Sequence, residues 1–129
     1  MPPGNQWSAD EVTIAVYFSS RQICCKAVRF LLLRRGYDRS VPAIERKLLS
    51  ISQQHPDLRS SEGNWELNVA DSWIDAVLGD HESVNQLIRF SSADAEDVIT
   101  VCFRLGLLWP YFALTTLLTQ SRINEPLTF

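Results

Sequence analysis

Cysteine is scarce and badly placed for cross-linking: Cys24 and Cys25 are neighbours and Cys102 stands alone. An odd number with two adjacent members is no disulfide framework, which sets aside the small secreted scaffold and fits a reducing intracellular compartment. Glycine is also sparse, with five in the chain and none in a phosphate-cradling loop. Of the two histidines, His55 falls in a polar stretch and His81 beside Asp80 and Glu82, and neither has a second metal ligand at usable spacing. No nucleophile stands with a matched base, so no catalytic residue, metal or cofactor is expected and the chain does not read as an enzyme. Residues 1–6 lack a basic start and an apolar stretch, and read as a short flexible lead instead of a secretory signal. Alternating apolar and polar runs, the mark of half-buried strands, are absent too, which leaves an all-α class.

What is present is ordinary globular material: 129 residues, 46% hydrophobic and 21% charged, with four tryptophans. That is enough for one compact domain, or a small domain with a helical annex. The net charge of −3 conceals an asymmetry. Residues 1–59 hold nine Lys/Arg against five Asp/Glu, whereas residues 60–129 hold three against ten. A front half of +4 therefore precedes a back half of −7. A positive field attracts phosphate, so any nucleic-acid contact belongs to the front, with the acidic half turned away or toward a basic partner.

Helical signals follow one another along the front half. Ser8-Ala9-Asp10-Glu11 has capping-box spacing, and the helix it opens is expected to run to about Phe18. After Ser19-Ser20-Arg21-Gln22, the residues Ile23, Ala27, Phe30 and Leu31 fall on one face of a second helix that ends near Arg35. Gly36 can adopt the left-handed conformation that closes it. Ser40 then caps a third helix with Pro42 in its first turn. Its apolar stripe is Val41, Ile44, Leu48 and Ile51, which leaves Glu45, Arg46 and Lys47 toward solvent.

Polar, proline and glycine punctuation over residues 53–64 reads as a linker. Beyond it, Trp65, Val69, Trp73, Ala76 and Val77 make one face of a fourth helix stopped at Gly79-Asp80. Val84, Leu87 and Ile88 give a short fifth, and Ser91 with Asp94 caps a sixth that runs past Val101. Asp71 and Asp75 stand four apart as a solvated acidic face. Residues 106–119 carry no charge, yet fall short of the roughly 20 apolar residues a membrane span needs. They are expected as core or as an interface for a protein partner or self-association, with a membrane anchor the weaker reading.

Residues 7–52 resemble a Myb/SANT repeat. Trp7-Ser8-Ala9-Asp10-Glu11 is similar to the opening of that repeat, an aromatic followed by acidic residues, with Ala15 and Phe18 at its core positions. Arg39-Ser40-Val41-Pro42-Ala43-Ile44-Glu45-Arg46-Lys47-Leu48 is similar to its third helix, with Leu48 where an aromatic is usual. The second aromatic is replaced by aliphatic side chains and Phe30. The layout also resembles that of small fungal proteins. The resemblance implies three packed helices, the third offered to the DNA major groove in members that bind DNA. It implies Glu45 and Arg46 at base-reading positions, Arg46 toward guanine and Glu45 toward cytosine, with Arg39 and Lys47 near phosphates.

Arg34 and Arg35 extend this set either as a phosphate patch or as an ordinary solvated surface. The expected nucleic-acid site is thus Arg34, Arg35, Arg39, Ser40, Glu45, Arg46 and Lys47. The leading expectation is double-stranded DNA binding in a nuclear, regulatory or chromatin setting. The other is a protein-interaction adaptor in which the acidic annex, residues 65–129, and the SANT-like module bind a partner without touching DNA.

Overall fold

The computed structural model describes residues 6–79 and 81–104. Among them the fold is all-α: α1 (Ala9–Ser20), α2 (Cys25–Arg34), α3 (Val41–Gln54), a 3-10 turn (Pro56–Leu58), α4 (Leu67–Leu78), α5 (His81–Ile88) and α6 (Ser92–Arg104). The uncharged run 106–119 lies outside the described residues. No helix among the described residues is long and apolar enough to cross a membrane.

Local chemistry sets most boundaries. The Ser8 N–H donates to Glu11 Oε1 and the Glu11 N–H donates to Ser8 Oγ, so the capping box at the start of α1 is closed in both directions. Ser40 Oγ accepts from the Ala43 N–H at the start of α3, with Pro42 where a helical N–H has no partner. Ser91 and Asp94 repeat the reciprocal arrangement ahead of α6. Gly36, with φ +94°, and Gly79, with φ +68°, end α2 and α4 in the left-handed region, where a Cβ would be strained. α1 continues through the two serines expected to interrupt it. Ser20 Oγ donates to the Tyr17 carbonyl, which lets a polar side chain finish the helix inside the core.

α1 occupies the centre. Every residue from Thr13 to Ser20 is buried, and α2, α3, α4 and α5 all pack on it. A helix apolar on all sides belongs inside a bundle, and Ile14, Ala15, Val16, Tyr17 and Phe18 supply that surface. One cluster of buried side chains runs from Ile14 through Leu31, Ile44 and Leu58 to Ile74, Ile88 and Val98. The stretch 53–64 carries part of it, because Leu58 in the 3-10 turn is fully buried. Trp65 and Arg59 close the loop that follows by a single antiparallel bridge.

Two expected core faces are rotated. On α2 the buried residues are Ala27, Val28, Leu31 and Leu32, and Phe30 points outward, 41% exposed. The inner arc of four small and aliphatic residues is complete without it, and α1, α3 and α6 are the elements that pack on α2. On α4 the buried positions are Ala70 and Ile74, whereas Val69, Trp73 and Val77 are half-buried and Ala76 is exposed; Trp65, expected on this helix, lies in the loop before it and is half-buried. The rings serve at the margin: Trp65 lies under the Arg59 guanidinium, 3.8 Å from its centroid, and Trp73 meets the His55 ring edge-on at 5.5 Å.

Candidate nucleic-acid interface

α3 presents the surface on which the sequence places recognition. Among the described elements it packs only on α1, α2 and the 3-10 turn, so α4, α5 and α6 leave its outer side open. Ile44, Leu48 and Ile51 face the core. On the opposite side Pro42, Glu45, Arg46, Leu49 and Gln53 follow one another at helical spacing, all exposed. Leu49, at 58%, is among the most exposed large apolar side chains described. Lys47 is half-buried on the flank, and Ser40 keeps its oxygen on the Ala43 N–H.

The arginines expected beside them point elsewhere. Arg39 donates through Nε and Nη2 to the Glu11 carboxylate and through Nη2 to the Gln6 carbonyl. Its guanidinium also lies 4.8 Å from the Trp7 ring centroid, which folds the start of the chain down against α1. Burial alone would raise the Glu11 pKa, but the Arg39 and Ser8 hydrogen bonds outweigh it and hold the carboxyl below its ordinary value. The same bond raises Arg39 above its own.

Arg35 is held more fully. Its two Nη atoms each meet one oxygen of the buried Asp94 at 3.0 Å, and it also donates to the Leu31, Leu87 and Arg89 carbonyls. Four of these five bonds join the end of α2 to the chain around α5 and α6, with the guanidinium 5.1 Å from the Phe18 ring centroid. Arg34 pairs with Asp97 of α6 at an exposed site. A fourth pair, unforeseen from sequence, joins α1 to α4. Arg21, 3% exposed, grips Asp71 with both Nη atoms at 2.8 and 2.9 Å and stacks 3.9 Å from the Tyr17 ring centroid. Asp71 is therefore a structural anchor and not part of a solvated acidic face.

The acidic half thus meets the basic half of the same chain. Of the expected site, Arg34, Arg35 and Arg39 are bonded within the fold, and Glu45, Arg46 and Lys47 stay together on α3. The one signal that foreshadows these pairs is the opposed charge of the two halves, because partners 50 to 63 residues apart leave no local pattern.

Elsewhere the chemistry is quiet. A shallow depression bounded by Arg21, Trp65, Leu67, Asn68 and Asp71 opens beside the α1–α4 ion pair, whose charges already satisfy each other. Cys24 and Cys25 are free and half-buried. Burial, with Glu45 and Cys24 nearby, pushes the Cys25 thiol up to about 11, which keeps it protonated at neutral pH. Among the described residues no group of three His, Cys, Asp or Glu side chains could hold a metal ion. No family model, curated protein or solved structure matches the chain.

Proposed function

We propose that the chain is a DNA-binding or chromatin-associated regulatory module, acting in the nucleus, with α3 as its recognition helix. The observation that carries this reading is the bare outer side of α3 in a fold that buries α1 from Thr13 to Ser20. A helix with one buried stripe and one open polar face fits a major groove about 12 Å wide. Arg46 reaches a guanine edge, Glu45 accepts from cytosine, and Lys47 meets phosphate. The Myb/SANT resemblance of residues 39–48 supports the same orientation. With so few cations on that side, a single chain binds duplex weakly, and a dimer or companion domain supplies the remaining contacts.

The test is fluorescence anisotropy of a labelled random duplex at two salt concentrations. The one or two phosphate contacts open to Lys47 and Arg46 predict a slope of log affinity against log salt of about −1 to −2, at −0.9 per contact. Arg46→Glu is expected to abolish the signal. No binding at low salt removes the reading.

A second reading is a protein-interaction adaptor that makes no DNA contact. It is favoured by the internal use of Arg34, Arg35 and Arg39, which takes the greater part of the expected phosphate patch out of play.

A further inference from the structure

α2 carries a second face that its packing does not use. Ala27, Val28, Leu31 and Leu32 turn inward, and the helix meets α1, α3 and α6 on that side and along its edges. Away from them, Lys26, Arg29, Phe30 and Leu33 stand at i, i+3, i+4 and i+7, so they form one continuous outward stripe. Phe30 and Leu33 are 41% and 40% exposed. Lys26 and Arg29 adjoin them toward the N-terminal end of the helix, and α2 contains no aspartate or glutamate to offset either charge. Among the described residues Arg29 pairs only with Asp38, at 4.0 Å with both side chains in solvent, a contact too loose to hold the guanidinium. The stripe is therefore two apolar anchors beside two available cations, on a helix seated in the core.

We infer that this stripe of α2 is a docking surface for an acidic amphipathic helix of a partner protein. Helix-in-groove recognition reads apolar anchors at this spacing, and the cations select carboxylates beside them. The molecule already uses the same chemistry once. The other edge of α2 takes up α6 through Arg34–Asp97 and Arg35–Asp94, an acidic helix seated on a basic one. The outer stripe repeats the complement with no acidic helix of the described chain upon it. It lies on a different helix from Arg46 and stands whether or not α3 binds DNA.

A labelled helical peptide with leucines at i, i+3, i+4 and i+7 and glutamates on both flanks tests this by anisotropy, with the same peptide bearing lysines for glutamates as control. The full chain is expected to bind the acidic peptide only, less tightly as salt rises. K26E/R29E, two exposed changes that leave the core intact, lowers that affinity by about tenfold or more, because attraction becomes repulsion. Arg46→Glu leaves it unchanged. Equal binding of both peptides, binding of neither, or indifference to K26E/R29E overturns the inference. So does retention on phosphatidylserine vesicles without peptide binding, which would assign the stripe to a membrane. A dimer in light scattering that Phe30→Asp converts to monomer would assign it to a second copy, and overturns it equally.

Discussion

The arginines bonded within the fold and the cations that face solvent come from the same basic stretch of sequence, yet they do opposite work. Arg21, Arg35 and Arg39 each lie over an aromatic ring and grip a carboxylate at least 28 residues away. Lys26, Arg46 and Lys47 make no ion pair with any described residue. The first group fastens the halves and pins the chain start. The second sits on the outer sides of α2 and α3, where a partner can reach it. A count of positive charge would have pooled the two, although only the second is left without an ion pair among the described residues.

The sharpest way to break this contrast is to remove one partner from a buried pair. Asp94→Ala strands Arg35 among backbone carbonyls and is expected to cost about 3–5 kcal/mol in urea unfolding. Asp97→Ala, on the exposed pair one turn along α6, should cost less than about 1 kcal/mol. Equal losses at both sites would erase the distinction between inner and outer pairs.

Leu58→Ala comes next, at about 2–5 kcal/mol, because a side chain with no solvent exposure leaves a cavity between α3 and α4. A loss below about 0.5 kcal/mol, the size of an ordinary surface change, would show that residues 53–64 tether the halves without joining their core.

Acidification probes the pinned chain start. Glu11 has a folded pKa below its ordinary value, so its contribution is complete above the ordinary carboxylate pKa, near 4.3, and fades as pH falls through the lowered one. Glu11→Gln should therefore lower Tm at pH 7 and flatten its decline below pH 5; an unchanged acid limb would locate the loss elsewhere. The smallest effect is reserved for the outer group, where Arg46→Glu should shift stability by no more than about 0.5 kcal/mol while abolishing duplex binding.

How far these features could be read in advance follows the range of the interactions. Caps act over three residues, so Ser8, Ser40 and Ser91 announced three helix starts, and Gly36 and Gly79 two ends. The open side of α3 was legible too, because Ile44, Leu48 and Ile51 leave Glu45 and Arg46 nowhere else to go. Phe30, Trp65 and Trp73 misled for a shared reason. A large ring announces apolar surface, but which arc of a helix is covered depends on which neighbours arrive, and α6 reaches α2, as α1 reaches α4, from far along the chain. Asp71 has the same history. Its spacing from Asp75 describes one helix, and its role is set by Arg21 on another. For the site, sequence supplied the residues on α3 and also supplied arginines that folding directs inward.

A centre enclosed on nearly every side has a consequence for how the molecule can come apart. Tyr17 and Phe18 are shielded by helices drawn from both halves, so residues 7–52 cut away alone would open a hydrophobic flank to water. Melting then proceeds in one cooperative step, and the slowest amide exchange falls on the first helix in the chain. Any change that loosens the acidic end is felt at the basic one, although recognition is assigned to the latter alone.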